Sequence, residues 1–524
     1  MFDLLLFNGT ILTQTVPTAA TAVGVRDGRI TRVGDTDTLL AAADASTVRI
    51  DLGGRTLVPG FNDAHAHTWK IGHLLTTMLD LRRVRSLGEL AGAVRAFDAK
   101  LPANAWLLGR GYNEAVLADR RPPTRHDLDR ACPNRPVVLT RTCGHIYAVN
   151  SVALQRAGID RGTVAPVGGV IDRDADGEAT GLLHETAMGL ITKVVPPPTA
   201  HDFEAMIVAA LRHQLSLGIT SSSDCGVSPQ LLQVYRAVDA GGRLPARVNV
   251  MPLRRVDGVA DPVPLPERFA SDMLRVDTVK FLADGGLSGA TAALSVPYRT
   301  GAASGLLRFR REELEALCRE SHDAGWRIAT HAIGDLAIDQ VLDIYEHLGP
   351  HPLGYAHRIE HFGLPDATQL ARAARVGAIA APQTIFIHSL GRNFRAYLPD
   401  VFAPRTYPVR SMLDAGIPVA LSSDAPVVED DNPLMGMAAA ITRRDDEGYL
   451  IAGAEAITAQ EALYGYTMGG AIASGDADNR GSIEAGKWAD LALLSANPLS
   501  VDAEALPSIT VDMTFVAGRL VHER

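Results

Sequence analysis

His65 and His67 stand one residue apart in Asn62-Asp63-Ala64-His65-Ala66-His67, just after the apolar run that begins at Leu57. Side chains alternate faces along a β-strand, so both imidazoles of a His-x-His point the same way. Two neutral imidazoles on one face can share a divalent cation. A lone His-x-His is as readily an accident of surface or core, and this pair gains weight from its company. His331 closes Ala329-Thr330-His331, His361 closes Arg358-Ile359-Glu360-His361, and Asp424 closes Ser422-Ser423-Asp424, each at the end of its own short run. They would supply the remaining nitrogen and carboxylate ligands. Lys280 lies inside Val279-Lys280-Phe281. A buried, charged lysine is costly unless paired. Two readings stay open: an ion pair with Asp284 or Asp424, or a neutral amine that captures CO₂ and, as a carbamate, bridges two metal ions.

These residues need a frame that brings distant strand ends together. The middle of the chain repeats one pattern, in which a helical segment ends in Gly and an apolar strand follows at once. Ala205–Leu215 leads into Gly218-Ile219, Glu312–Asp323 into Gly325-Trp326, Thr368–Arg375 into Gly377-Ala378, and Ser411–Asp414 into Gly416-Ile417. Gly just past a helix end takes the left-handed conformation of a C-cap. Helix, Gly and buried strand in repetition predict an α/β fold with a parallel sheet. Eight strands are predicted: Leu57–Asn62, Ile219–Ser223, Arg247–Met251, Asp277–Leu282, Arg327–Thr330, Tyr355–Ile359, Ala378–Ala381 and Val419–Ser422. Eight units predict a (β/α)₈ TIM-like barrel, with chemistry at the C-terminal strand ends.

Short apolar runs broken by Asn-Gly and Asp-Gly turns mark both chain ends: Leu4–Asn8, Ala22–Arg26, Arg29–Val33, Asp490–Leu494 and Met513–Val516. They predict a small β-sandwich domain from residues 1–55 plus 480–524, leaving 56–479 for the barrel. Between barrel strands 1 and 2, about residues 70–200 carry Pro-rich turns and Gly/Asp hairpin signals, and predict an inserted subdomain able to cover one side of the site.

Composition narrows the classes. The 524 residues carry 50 Lys plus Arg against 60 Asp plus Glu, a net charge of −10, without a basic run. A nucleic-acid binder would show a basic patch. No apolar stretch reaches the roughly 20 residues of a membrane helix, and the N-terminus lacks the basic region of a signal peptide. The four cysteines form no CxxC pair, against a zinc knuckle or a disulfide framework. A cytoplasmic setting, a small-molecule substrate and a homodimer are the expectations.

His-x-His on strand one, Lys on four, His on five, His on six and Asp on eight is the ligand order of the binuclear amidohydrolase superfamily. The segment Leu57-Val58-Pro59-Gly60-Phe61-Asn62-Asp63-Ala64-His65-Ala66-His67 is similar to its first-strand motif, and Gly481-Ser482-Ile483-Glu484-Ala485-Gly486-Lys487-Trp488-Ala489-Asp490-Leu491 to its return into the β-sandwich. Gly109-Arg110-Gly111-Tyr112, His145 with Asn150, Ala283-Asp284-Gly285 and His331-Ala332-Ile333-Gly334-Asp335 add to the match. The resemblance covers nearly the whole chain and is strongest to amidohydrolase family 3, the branch with N-substituted formamide deformylases. It implies a metal-dependent hydrolase cleaving an amide or related C–N bond of an N-acyl or N-formyl amine. His65, His67 and Asp424 would hold one metal, His331 and His361 a second, and N6-carboxylated Lys280 would bridge them. Zinc fits the His-rich set, with manganese or iron as alternatives and one or two ions in place. A metal-activated hydroxide would attack, with Asp424 as general base and then acid.

Other residues rank lower. Trp69, His145, Asn150, Glu185 and Asp284 are candidates for substrate binding. Against that role, Glu185 reads equally as a surface carboxylate, His145 and Asn150 as internal ties of the insert, and Trp69 as core. Asp224-Cys225 follows strand two and either residue is placed to face the metals, although a buried, inert Cys225 is favoured. His73, His126, His201, His213, His322, His347 and His351 read as solvent-facing. Two other classes remain: a mononuclear deaminase or lactone/ester hydrolase on the same fold, and a non-catalytic scaffold relative. A shared fold does not by itself fix function.

Overall fold

The computed structural model describes residues 2–524 except 16–18, 103, 115, 142–145, 167–168, 256–260, 300 and 302. The chain forms two compact units, one of Met1–Lys70 with Ala210–Arg524 and one of Ile71–Ala209.

In the larger unit, parallel strands alternate with helices, an α/β fold. Phe61–Ala66, buried at every position, pairs in parallel with Ile219–Val227, which pairs with Arg247–Pro252. Thr278–Leu282, Arg327–Ala332, Arg358–His361 and Ile379–Ala381 form a second parallel run in that order. Backbone contacts join the two. A parallel bridge links Leu253 with Lys280, and another links Ala380 with Val419. The extended segment after Val419 then reaches the first strand, with Asp424 N donating to His65 O at 2.7 Å and His67 N donating to Ala425 O at 2.8 Å.

Seven of the expected strand positions hold with instructive shifts, while the eighth, Val419–Ser422, forms only an isolated bridge at Val419 and no strand. Leu57–Asn62 spans a break: Thr56–Pro59 belongs to another sheet, and the new strand begins at Phe61. A Cβ on the intervening Gly60 would meet Thr220 Oγ1 at 2.1 Å, so only glycine lets the backbone pass there. The sixth strand is Arg358–His361 rather than Tyr355–Ile359. The four helix-ending glycines, Gly218, Gly325, Gly377 and Gly416, all have φ between 68° and 76°. They close Ala200–Ser216, Arg311–Asp323, Ala367–Arg375 and Val409–Asp414, and turn each chain directly into the next strand.

The chain ends interleave. Leu491–Leu494 pairs antiparallel with Thr56–Pro59 and with Val511–Val516, while Thr10–Leu12 pairs with Thr56–Pro59 on its other side. A second sheet contains Leu4–Phe7, Ala22–Arg26, Arg29–Gly34 and Val48–Asp51. Leu4, Leu6, Val23, Ile30, Leu57, Leu491 and Phe515 from the two sheets share one core.

The smaller unit holds a mixed six-stranded sheet in the order Gly169–Arg173, Ala179–Glu185, Ile146–Val149, Val137–Arg141, Leu107–Tyr112, Met78–Asp80. It has its own apolar cores, one including Leu79, Leu90, Leu107 and Leu139, the other Val138, Val149, Leu154 and Leu183.

Two histidines depart from expectation. His322 and His351, read as solvent-facing, are buried, and with His357 they form a triangle of rings with centroids 5.2 to 5.3 Å apart. The sequence of hydrogen bonds fixes their protons. Ile328 N donates to His357 Nδ1 at 3.1 Å, so His357 Nε2 carries the hydrogen and faces His322 Nδ1 at 3.0 Å. Leu353 N donates to His351 Nδ1, and His351 Nε2 donates to Trp326 O. All three are neutral. Burial, then mutual repulsion with His351 and His322, pushes His357 down to about 3, and burial lowers the other two. Unfolded histidine titrates near roughly 6.5, so below that pH the unfolded chain takes up protons that the fold refuses. The cluster's contribution is therefore complete above about pH 6.5 and is lost as pH falls toward 3. We expect the midpoint of thermal unfolding to fall between pH 7 and 5, and to fall less steeply in His357→Gln. Equal slopes in the two proteins would refute this origin of acid sensitivity.

Candidate metal centre

The residues singled out by spacing converge at the C-terminal ends of the parallel strands. His65 lies within Phe61–Ala66 and His67 just beyond it, Lys280 within Thr278–Leu282, His331 within Arg327–Ala332, and His361 at the end of Arg358–His361. His65 Nε2 and His67 Nε2 lie 3.5 and 3.3 Å from Asp424 Oδ1. These three residues can present ligand atoms within 4.8 Å of one another. The ring of His361 lies 4.8 Å from that of His65 and 4.3 Å from that of His331, between centroids.

Each imidazole has one nitrogen held by the protein. His67 Nδ1 faces Cys225 O at 2.8 Å, His361 Nδ1 faces Gln383 Oε1 at 2.6 Å, and His65 Nδ1 faces Glu360 Oε2 at 2.5 Å. His331 is held through Nε2, by Gly285 O at 3.0 Å. All four partners are oxygens, so the held nitrogen carries the proton and the other keeps its lone pair. Gln383 is itself fixed, donating to Ala381 O at 2.7 Å and to Ser422 Oγ at 2.9 Å. Hydrogen-bonded outer groups of this kind set the tautomer of a metal-binding histidine.

Electrostatics agree with that donor set. Burial, then Lys280, pushes His65 down to about 4, and burial with the neighbouring His331 and His65 holds His361 well below the histidine range. Burial works against ionisation of Asp424, but contact with His67 and the fields of His65 and His361 outweigh it and hold the carboxyl low. Neutral imidazoles and an ionised carboxylate are what a divalent cation takes. Lys280 is buried, and among the described residues its Nζ has no hydrogen-bond partner, including Asp284 and Asp424. Burial pushes its amine down against the fields of Glu360, Cys225 and Asp424. An unsatisfied Nζ beside bare imidazole nitrogens fits a site completed by cations.

The backbone is strained where these ligands turn inward. His361, Phe362 and Asp424 have φ of 70°, 47° and 55°. Non-glycine residues there cost on the order of 1–3 kcal/mol each and persist where the surroundings over-determine them. At Asp63, burial pushes the carboxyl up to about 7 although Ser423 donates to it from both Oγ and N.

The secondary candidates divide. Asp284 is fully buried and accepts from the backbone amides of Ala293, Ile333 and Gly334, which occupies its carboxylate in holding loops rather than exposing it to a substrate. Asn150 is likewise buried, bonded to Val137 N, Ala153 N, Cys132 O and Arg135 O, and caps the helix Ser151–Arg156. It is an internal tie of its unit with no polar atom to spare. Glu185 is exposed at the end of Ala179–Glu185, with φ of 51°. Trp69 is half-buried in the helix that starts at Thr68. His145 lies outside the described residues. Asp224 accepts from Tyr235 Oη at 2.5 Å, and Cys225 is buried with its thiol pushed up by burial, an unreactive state. Sequence reading assigned no role to Arg358, Glu360 or Gln383. The signal for the first two was present: Arg and Glu two apart on a strand share a face.

A model of the amidohydrolase family matches residues 49–522. The chain is 34% identical over 519 residues to the Bacillus subtilis protein YtcJ, covering 96% of each. It is 31% identical over 546 residues to the N-substituted formamide deformylase of Arthrobacter pascens, covering 100% of this chain and 99% of that one. Among solved structures, an uncharacterized metal-dependent hydrolase from Pyrococcus horikoshii superimposes with a TM-score of 0.80 at 27% identity, over 96% of this chain and 99% of that one.

Proposed function

The chain belongs to the amidohydrolase family and is a hydrolase acting on carbon–nitrogen bonds, and from that premise we propose that it cleaves the amide bond of an N-acyl or N-formyl amine at a divalent-metal centre. The observation that carries the reading is the convergence of His65, His67 and Asp424 within 4.8 Å. In this reading those three would hold one cation, His331 and His361 would hold a second, and N6-carboxylated Lys280 would supply an anionic ligand, with zinc as the metal. The frame is a (β/α)₈ barrel over residues 56–479, closed by the backbone contacts around Lys280 and Val419, with a β-sandwich from 1–55 plus 480–524 and an insert near 70–200. The setting is cytoplasmic and the substrate a small molecule.

A divalent cation in such a site polarises the scissile carbonyl and makes a water molecule more acidic. The protein's own part falls to Asp424. Its ionised carboxylate takes a proton from the attacking water at Oδ and delivers it to the nitrogen of the leaving amine. His65, His67, His331 and His361 orient the centre, each through the lone pair its partner leaves free.

The N-formyl part of the reading draws on likeness to the Arthrobacter deformylase. The test is a panel of N-formyl, N-acetyl, N-acylamino-acid, cyclic-imide and lactone substrates offered to zinc-loaded protein. We expect N-formyl amines to be cleaved fastest, with amine and formate in equal amounts. A chelator should lower the rate at least about a hundredfold, and added zinc should restore it. Fastest turnover of lactones, or ammonia released from a ring amine, would overturn the substrate class. No loss on chelation would overturn the metal centre.

A further inference from the structure

His65 differs from the other three histidines in what holds it. His67, His331 and His361 face neutral oxygens at 2.8, 3.0 and 2.6 Å as their nearest partners, with the Asp284 carboxylate farther off, 3.3 Å from His331 Nε2. His65 Nδ1 faces a carboxylate oxygen, Glu360 Oε2, at 2.5 Å, and both residues are at most 1% exposed. Glu360 in turn is gripped by Arg358, whose Nε donates to Oε1 at 2.7 Å and Nη2 to Oε2 at 3.0 Å. The same guanidinium donates to Ala64 O at 2.7 Å, the residue before His65, and to Ala473 O at 3.2 Å. Arg358 is fully buried, so it has no water to fall back on.

We propose that Glu360, braced by Arg358, is a positioning residue that commits His65 to binding a cation through Nε2 and locks the strand of His361 to the strand of His65. The proposal rests on the metal-centre reading above. A neutral imidazole has one N–H. With that hydrogen donated from Nδ1 to Glu360, Nε2 keeps its lone pair on the side of Asp424 Oδ1. A carboxylate partner also makes the imidazole a stronger donor to a cation than a carbonyl partner does. Arg358 adds the mechanical part. It reaches Glu360 on its own strand and Ala64 on the first strand from one rigid planar group, so neither ligand shifts register without breaking a buried, charge-assisted hydrogen bond. The thiol of Cys225 stands beside this pair: His65, Cys225 and Glu360 can also present ligand atoms within 4.8 Å of one another. A cation bound among those three would need His65 Nδ1 bare, the opposite protonation.

The experiment measures zinc affinity by chelator competition, and the visible absorption of the cobalt-substituted protein, in wild type and Glu360→Gln. Wild-type zinc binding tests the metal reading itself; its absence would remove that reading and this inference with it. Given wild-type binding, we expect Glu360→Gln to raise the zinc dissociation constant about 10- to 100-fold and to change the cobalt spectrum. Unchanged affinity and spectrum would overturn the positioning role. Glu360→Gln leaves Arg358 buried without its counter-charge, so the double variant Arg358→Met/Glu360→Gln serves if the single one does not fold. Weak zinc binding in the folded double variant supports the proposal, and wild-type binding overturns it. Neutron diffraction from zinc-loaded wild-type crystals decides the matter without any variant. A deuteron on His65 Nδ1 with zinc at Nε2 is the expected result; zinc among His65 Nδ1, Cys225 and Glu360 is the overturning one.

Discussion

Asp424→Asn lowers kcat by about a thousandfold or more while leaving the fold intact. General acid–base catalysis alone contributes roughly 10²- to 10⁴-fold, and this residue also stands among the ligand atoms. The exchange is isosteric, so the backbone bond from Asp424 N to His65 O at 2.7 Å and the turn at φ 55° are kept. What is lost is the charge. The contact with His67 and the fields of His65 and His361, which hold the carboxyl ionised against burial, find no anion in an amide. Steady-state kinetics on the substrate that the panel identifies, with circular dichroism and metal content measured on the same preparation, test this. Activity within tenfold of wild type would remove Asp424 from the mechanism.

Lys280→Ala has an effect of similar size for a different reason. Lys280 is 2% exposed, and its amine lacks a hydrogen-bond partner among the described residues. If it is only a buried amine balancing nearby carboxylates, its removal leaves Glu360 still paired with Arg358 at 2.7 Å, and metal and activity survive. If it is a carbamate bridging two cations, its removal deletes an anionic ligand. We expect the second outcome: loss of metal, and activity lower by about a hundredfold or more, because in the proposed function metal-activated water carries the reaction. Acetate or propionate, which fit the vacated space with a carboxylate, should return part of the activity when added with zinc. Full retention of metal and activity in Lys280→Ala would rule the bridge out.

Much of this arrangement was legible in the sequence because its signals are local. His-x-His needs only the alternation of a strand, and the helix–Gly–strand repeats need only a C-cap, which is why Gly218, Gly325, Gly377 and Gly416 mark their junctions correctly. Strand limits were less legible where two sheets meet. Leu57 to Phe61 carries no polar side chain, and nothing in it tells that Thr56–Pro59 pairs with Leu491–Leu494 while Phe61 onward pairs with Ile219. Partners from distant segments were least legible. Gln383 and His361 are 22 residues apart and Glu360 and His65 are 295 apart, so their contacts exist only once the strands are side by side. The same holds for His322 and His351, whose polar residue type argued for exposure while bonds to His357 and to the backbone satisfy them inside. Asn150 and Asp284 show the reverse case: polar residues in family-like motifs whose hydrogen bonds are all spent on the chain itself.

The pairing of Thr56–Pro59 with Leu491–Leu494 also sets a timetable. Thr56–Pro59 leads through Gly60 into the strand of His65, so the base of that strand gains its antiparallel neighbour only after more than four hundred further residues have been made. At roughly 5–20 residues per second of synthesis, that neighbour emerges from the ribosome some tens of seconds later. Until then the first ligand strand has an unpaired flank at its root, and the smaller unit, Ile71–Ala209, has already left the exit tunnel. A nascent chain of this protein therefore acquires its chemistry late, once Leu491–Leu494 has been made, and a cell short of chaperones should accumulate it with an unfinished centre.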